Sequence, residues 1–181
     1  LRAPLPYPAW DRFVNVAVRT PSGGTRNVRG GDEFEAYRDQ ATAFEGVVGT
    51  RGEPMLLEAS DRTEAGRAVW VTSNFFDFMG LPPLAGRTLT PQDARPDSAP
   101  VAVLRHRAWV NFFGADPQVL GRVIVLNGEP RTVVGVMPAR FTWHGADFWI
   151  PIRDGDGDLD RGGLNFQARL RPGVTISEAE A

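Results

Sequence analysis

The run RDGDGDLDRGG has the spacing in this chain that comes closest to a known ligand-binding chemistry. Its alternating carboxylates are Asp154, Asp156, Asp158 and Asp160. A calcium-binding loop places oxygen ligands at its first, third and fifth positions. That loop also requires glycine at its sixth position and glutamate at its twelfth, where this chain has Leu159 and Asn165. The sequence therefore favours a solvated acidic loop, with a calcium site as the alternative.

The other residue types that perform chemistry lack the partners they would need. His106 and His144 are the only histidines, and the chain has no cysteine. A metal site would require a third ligand, and a nucleophile would require an adjacent base. Ser73 lacks the G-x-S-x-G surroundings of a hydrolase nucleophile and precedes a short helical pattern. We predict that it caps that helix.

Three glycines lie at intervals of seven, Gly121, Gly128 and Gly135, and repeated glycines are a feature of phosphate-binding loops. They flank strand-like segments, whereas a phosphate loop lies where a strand turns into a helix. Phosphate binding is therefore not favoured. The sequence predicts no catalytic residue, no metal site and no cofactor, and we expect a protein that is not an enzyme.

Aromatic residues are abundant after position 70, and most of them are expected to pack in the core. Phe141 and Trp143 flank a loop-like segment, so we expect this pair to be the most exposed. Exposed aromatic residues often anchor contacts between proteins. Phe141 and Trp143 are therefore candidate partner-contact residues, with core packing as the alternative.

Apolar periodicity and turn residues predict the elements that position these side chains. Strands are expected at 12–19, 47–50, 55–59, 65–71, 101–104, 122–126, 131–136, 148–152 and 164–170. Helices are expected at 33–43, 73–80, 105–113 and after Thr175. Residues 51–54 are typical of a turn, Asn127-Gly128 of a hairpin turn, and Pro151 of a strand at a sheet edge. Because strands come in runs, the predicted fold class is α+β.

Charge and hydropathy restrict the functional classes further. The formal net charge is −2, and all 20 basic residues are arginines scattered along the chain, so nucleic acid is not an expected partner. No stretch approaches the ~18 apolar residues that a membrane span requires. The chain begins at Leu1 rather than Met, and we expect it to be a piece of a longer protein.

Five segments, taken in order, resemble one family. They are PLPYPAWDRFVNV, FEAYRDQATAFEGVVG, GRAVWVTSNFFDFMGLPPLAGRTLTPQD, APVAVLRHRAWVNFFGADPQVLGRVIVLNGEPRTVVGVMP and FQARLRPGVTISEAEA. Together they resemble the MacB-like periplasmic core domain of MacB/FtsX-type ABC-transporter permeases, and within it the large duplicated orphan type. The likeness covers nearly the whole chain, and the order of the segments is more specific than any one of them.

The resemblance implies a location and a domain organisation. The domain would lie on the extracytoplasmic, periplasmic face of the membrane, between the first and second membrane helices of a permease. It would have two lobes. The first is a βαβ-type porter-like lobe, 1–86 plus 164–181, truncated at its C-terminus. The second is a smaller α/β lobe, 87–163, inserted into it.

The resemblance also implies a function. The domain would be non-enzymatic and would couple the motion of membrane helices to export or to an extracytoplasmic partner. Expected partners are the membrane helices of the parent permease, an ATPase on the cytoplasmic side and a periplasmic adaptor or another extracytoplasmic protein. The alternative is a secreted or periplasmic module that binds a small molecule or peptide.

Overall fold

A computed structural model describes residues 7–26, 42–58, 63–153 and 163–179 of the chain. The helix predicted at 33–43 lies outside the described residues except for its last two, Thr42 and Ala43, and the acidic run Asp154 to Asp160 lies outside them entirely.

The described part of the chain is a mixed α and β structure that is rich in sheet. Its strands are β1 (Phe13–Val16), β2 (Val18–Arg19), β3 (Thr25–Arg26), β4 (Phe44–Glu58), β5 (Thr63–Val71), β6 (Ala85–Gly86), β7 (Val101–Leu104), β8 (Val123–Leu126), β9 (Glu129–Val136), β10 (Phe148–Pro151) and β11 (Asn165–Leu170). Its helices are α1 (Phe75–Met79), α2 (His106–Phe113) and α3 (Ile176–Ala179). None of these helices has the length and apolar content needed to cross a bilayer.

Six strands of the nine-stranded sheet pair in a closed ring. Around the ring, β4 pairs with β5, β5 with β10, β10 with β7, β7 with β9, β9 with β8, and β8 with β4 again. The β5–β10 and β7–β9 pairs are parallel, and the other four are antiparallel. A sheet that closes on itself in this way is a small β-barrel.

The last pairing of the ring, between β4 and β8, is short, with two residue pairs, as many as β10 makes with β7. It consists of Leu57 opposite Leu126 and Glu58 opposite Val125. The predicted Asn-Gly turn reinforces it, because the Asn127 backbone N–H donates to the Leu56 carbonyl at 2.9 Å and the Asn127 Oδ1 accepts from the Leu56 N–H at 2.8 Å. The hairpin prediction is confirmed, with positive φ at both turn residues.

Strand β4 runs through the turn that the sequence predicts at 51–54, and that prediction is wrong. Its first part pairs with β11, up to Thr50, and its last two residues pair with β8. Among the described strands, β5 is the one that pairs with the stretch between these two contacts. Pro54 lies in this stretch, where a strand tolerates the missing N–H of proline because one side has no strand partner.

The two faces of the barrel wall belong to different apolar clusters. The inner cluster takes residues from all six ring strands, spaced two apart except in β9, where the pairing with β7 shifts register: Met55, Leu57, Ala68, Trp70, Ala102, Leu104, Ile124, Leu126, Val133, Val136, Phe148 and Ile150. Helix α2 packs against this cluster, with Phe112 stacked on Phe148 at 5.9 Å between ring centroids. The outer cluster takes the intervening residues of β5, β7 and β10 together with the apolar residues of α1. This alternation follows from the two-residue period of strands.

Strand β10 lies inside the sheet, so the prediction of an edge strand from Pro151 is wrong. It lies between β5 and β7. Its register with β7 involves only Phe148 and Trp149, whereas its register with β5 continues to Pro151. Pro151 is the last residue of the strand, beyond the β7 pairing, and its missing N–H therefore leaves that ladder intact.

Helix α1 begins without the predicted Ser73 cap. The residue at the cap position is Asn74, whose side chain makes no capping hydrogen bond. Instead, the Asn74 Nδ2 donates to the Val47 carbonyl at 2.9 Å, which fixes the helix to β4. The predicted end is confirmed, because Gly80 is left-handed with φ 67° and its N–H donates to the Phe76 carbonyl.

The sheet passes through residues of both predicted lobes. Strand β5, from the first predicted lobe, pairs with β10 of the second, and β4 of the first lobe likewise pairs with β8 of the second. The α+β class is confirmed as a sheet-rich mixed structure. The division into 1–86 plus 164–181 and 87–163 remains a prediction.

A buried carboxylate orders the polar segment that follows β6. The Asp93 side chain accepts from Arg87 Nη1 at 2.7 Å and Nη2 at 2.9 Å, and from the Thr90 backbone N–H at 2.7 Å. Burial raises the pKa of the Asp93 carboxyl, but the bonds from Arg87 and Thr90 outweigh it, and the pKa lies below its ordinary value of 3.8. The ionised form is therefore stabilised by folding.

We expect Asp93→Asn to reduce the free energy of unfolding by about 1–2 kcal/mol, a modest loss because Arg87 is half-exposed. A lowered folded-state pKa contributes stability that is complete above the unfolded pKa and is lost as the pH falls through the folded pKa. When urea unfolding is measured from pH 7 to pH 2, the free energy of unfolding should therefore fall less steeply with decreasing pH in Asp93→Asn than in the wild type. Asp97→Asn, which removes an exposed pair with Arg95, is the control with little effect. Equal losses in both variants would contradict the role of Asp93.

Candidate functional site

Phe141 is a core residue, and the expectation that it is exposed is wrong. It lies in the segment 139–147 between β9 and β10, and its exposed fraction is 0%. Its ring is 5.0 Å from Trp149 and 5.6 Å from Phe76, measured between centroids. The segment turns back over the outer face of the barrel through hydrogen bonds from the Phe141 N–H to the Pro138 carbonyl and from the Ala146 N–H to the Trp143 carbonyl.

Trp143 is half-buried, so part of its ring faces solvent. It makes edge contacts with Tyr7 at 5.8 Å and with Phe75 at 5.9 Å. Its indole nitrogen is buried without a hydrogen-bond partner among the described residues. The two predicted contact residues therefore differ in exposure, since Phe141 is fully buried and Trp143 is half-buried. A role of this segment in binding a partner remains a prediction, and it now concerns Trp143.

Six aromatic side chains form a layer on the outer face of the barrel, which we call the aromatic cover. Its members are Tyr7, Phe75, Phe76, Phe141, Trp143 and Trp149. They come from the N-terminal segment, α1, the 139–147 segment and β10. Edge-on contacts predominate, which is a favourable arrangement for aromatic pairs. The cover therefore joins four parts of the chain that are distant in sequence.

Tyr7 is the member of the aromatic cover that sequence reasoning missed. It is 2% exposed although its two neighbours in sequence are prolines. Its hydroxyl donates to the Thr142 carbonyl and accepts from the Thr142 N–H at 3.2 Å. Burial raises the pKa of the Tyr7 phenol, so at neutral pH the proton needed for donation is present. An aromatic residue flanked by prolines, in LPYPAW, was the signal available in the sequence.

The two histidines lie on separate elements. His106 begins α2 and meets Trp109 edge-on at 5.6 Å. His144 lies in the 139–147 segment, where partial burial of its ring and the charge of Arg67 lower its pKa. Within the described ranges, no group of three or more His, Asp or Glu side chains could hold a metal ion. The alternating aspartates from Asp154 to Asp160 lie outside those ranges.

Two arginine side chains at the end of the sheet formed by β1 and β11 make intramolecular contacts. The Arg169 guanidinium lies over the rings of Phe78 at 4.7 Å and Phe13 at 5.1 Å, and it donates to the Phe78 carbonyl. Arg12 donates to Glu45 at 3.0 Å and to the Leu170 carbonyl. Cation–π contacts and charge-assisted hydrogen bonds of this kind fasten β1, β11, β4 and α1 together.

The sequence matches the family described as "MacB-like periplasmic core domain" over residues 5–181. One similar protein is the macrolide export ATP-binding/permease protein MacB of Burkholderia thailandensis, 30% identical over 116 residues, which are 61% of this chain and 18% of that protein. Another is named "Probable syringafactin export ATP-binding/permease protein SyfD", from Pseudomonas syringae pv. tomato, 35% identical over 100 residues, which are 55% of this chain and 14% of that protein. The chain thus spans less than a fifth of either relative.

Solved structures share the fold. The periplasmic region of MacB from Actinobacillus actinomycetemcomitans superposes with a TM-score of 0.69 at 19% identity, covering 86% of this chain and 71% of that one. The extracellular domain of the ABC-type transporter YknZ from Gram-positive bacteria superposes with a TM-score of 0.69 at 13% identity, covering 92% and 88%. At these identities the likeness establishes the fold.

Proposed function

Because this chain belongs to the MacB-like periplasmic core domain family, we propose that it is a non-catalytic mechanical coupler in an ABC-transporter permease. Its work would be to carry the motion of membrane helices to the export step or to an extracytoplasmic partner. The alternative of a secreted binding module is set aside, because the matching curated relatives are ATP-binding/permease proteins.

The observation that carries the proposal is the continuity of β4. This strand has 15 residues, which corresponds to a length of roughly 50 Å. It is hydrogen-bonded to β11 at its start, to β5 along its second part and to β8 at its end. A displacement applied near β11 therefore reaches the β8–β9 hairpin through one strand with no intervening loop.

The arrangement of β1 and β11 also supports the proposal. These strands come from opposite ends of the chain and pair antiparallel over four residues, from Phe13 opposite Arg169 to Val16 opposite Phe166. The parts of a longer protein that flank this domain would thus attach to two neighbouring strands. This arrangement suits a domain set between two successive membrane helices, because the start of β1 and the end of β11 lie at the same end of the pair.

We propose further that the predicted lobes, 1–86 plus 164–181 and 87–163, move together. Three strand pairings join them, β5 with β10, β6 with β9 and β4 with β8. Bending between the lobes would break these ladders. Rigid-body motion of the whole domain is the alternative that keeps every hydrogen bond.

The remaining partners follow from the relatives. Both proteins named above combine ATP binding with a permease, and their names give export of a macrolide and of syringafactin. We propose that the full permease which contains this chain performs export driven by ATP hydrolysis on the cytoplasmic side. A periplasmic adaptor or another extracytoplasmic protein would receive the motion on this side of the membrane.

Spin-label distances in the full permease test the proposal. The chain has no cysteine, so Asn15→Cys on β1 and Gln118→Cys near β8 give an exposed pair within the domain. A second pair joins Gln118→Cys to the outer end of a membrane helix. Between the ADP-bound and ATP-bound states, we expect the first distance to stay constant and the second to shift. A shift of equal size within the domain, or no shift in either pair, would refute rigid-body coupling.

A further inference from the structure

Tyr7 fixes the N-terminal segment to a part of the fold that is remote in sequence. Its hydroxyl makes two hydrogen bonds to the backbone of Thr142, 135 positions away. The Tyr7 O–H donates to the Thr142 carbonyl, and the Tyr7 oxygen accepts from the Thr142 N–H. The phenol therefore pairs with both backbone groups of one residue. A side chain that pairs with a backbone in both senses holds it much as a neighbouring strand would.

The ring of Tyr7 adds contacts on both sides of this bond. It meets Phe141 at 5.6 Å and Trp143 at 5.8 Å, both edge-on. The next residue, Pro8, packs so closely on the end of α1 that a Cβ added at Gly80 would lie 3.1 Å from the Pro8 Cγ. The segment before β1 is thus clamped between α1 and the 139–147 segment.

The clamp lies ahead of the strand that the N-terminal segment enters. A pull on the chain before Tyr7 would reach the aromatic cover before it reaches β1, which begins at Phe13. From the cover, contacts with Phe76 and Phe141 lead to Trp149 in β10, at the centre of the sheet. By contrast, Trp10 lies between Tyr7 and β1, is 42% exposed, and belongs to neither apolar cluster.

We propose that Tyr7 is the residue through which motion of the preceding membrane helix enters this domain. The proposal rests on the coupling function above and adds the point of entry. Force would pass from the membrane side through the Tyr7–Thr142 bonds and the aromatic cover to the barrel wall, rather than through the β1–β11 ladder alone. Tyr7 is therefore a positioning residue, which aligns the domain with the helix that moves it.

The test uses the full permease with labels at Asp11→Cys and Arg140→Cys, which lie on either side of the clamp and are exposed. Tyr7→Phe keeps the ring and removes both hydrogen bonds, Tyr7→Ala removes the ring as well, and Trp10→Ala is the matched control in the same segment. We expect the 11–140 distance distribution to broaden in Tyr7→Phe, and more so in Tyr7→Ala. The ATP-driven shift between the domain and the membrane should largely disappear in both, and Trp10→Ala should change neither measurement.

The outcomes separate this proposal from the one on which it rests. An 11–140 distribution that stays as narrow in both Tyr7 variants as in the wild type would overturn the clamp. A broadened distribution with an undiminished ATP-driven shift would show that force enters elsewhere, which also overturns the proposal. A wild-type permease whose domain does not shift with nucleotide would refute the coupling function and the role of Tyr7 in it, while the 11–140 distances would still decide whether the clamp exists.

Discussion

Phe141→Ala is expected to lower the free energy of unfolding by about 3–5 kcal/mol. The side chain has no exposed surface and contacts Tyr7, Phe75, Phe76 and Trp149 in the aromatic cover. Truncation removes the apolar area that these contacts bury and leaves a cavity among rings that cannot all move inward. Urea denaturation of this chain, followed by tryptophan fluorescence, measures the loss.

Trp143→Ala is the matched comparison for Phe141→Ala. Trp143 belongs to the same segment but is half-buried, and its indole nitrogen has no hydrogen bond to lose among the described residues. We expect a clearly smaller loss of stability than for Phe141→Ala. A Phe141→Ala variant that is as stable as the wild type would contradict the burial of the Phe141 ring. The prediction from the sequence that Phe141 is an exposed contact residue would then regain support.

Gly135→Ala is expected to lower the free energy of unfolding by about 3 kcal/mol, because there is no room for a Cβ where β9 meets β6. An ideal Cβ at Gly135 would lie 2.0 Å from the Arg87 carbonyl oxygen. The facing residue, Gly86, has φ 71° and would place its own Cβ 2.2 Å from the Val134 carbonyl oxygen. Both obstacles are backbone atoms, which cannot rotate away as a side chain can.

Hydrogen exchange locates the damage from Gly135→Ala. The amides of Leu84 and Arg87 donate to β9 at 2.7 Å and 2.9 Å, and they should lose protection first. Gly128→Ala is the control: φ is 79° and no atom lies within 4 Å of the added Cβ. Its cost should be about 1 kcal/mol, from backbone strain alone. Equal costs at the two glycines would show that the close approach of β6 and β9 does not constrain the fold.

Local signals in the sequence were sufficient for the elements that are stabilised locally. The Asn127-Gly128 hairpin, the end of α2 after Phe113 and the strand 101–104 all have their determinants within a few residues, and each prediction is confirmed. The α+β class follows from the same signals, because runs of strands exclude a strict alternation with helices.

Predictions failed where a distant partner decides the structure. Judged from neighbouring residues alone, Pro54 indicates a turn and Pro151 indicates an edge strand. Both prolines nevertheless lie inside the sheet, because the neighbouring strands begin and end at positions that leave no pairing for the missing N–H groups to break. Phe141 belongs to a loop-like stretch, and its burial depends on rings from α1 and β10. Tyr7 is joined to Thr142 across 135 positions, a separation that no periodicity in a single sequence reveals.

The short closing contact between β4 and β8 has a consequence for the order of folding. The β8–β9 hairpin needs only nearby residues, whereas Asn127 meets Leu56 across 71 positions and Gly128 meets Glu58 across 70. Loop-closure entropy must be overcome before such non-local contacts contribute. Two residue pairs and a turn offset little of that entropy, so we expect the β4–β8 seam to form after the longer ladders of the ring, such as β4–β5 and β7–β9. By the same reasoning, we expect this seam to be among the first places where the finished barrel reopens.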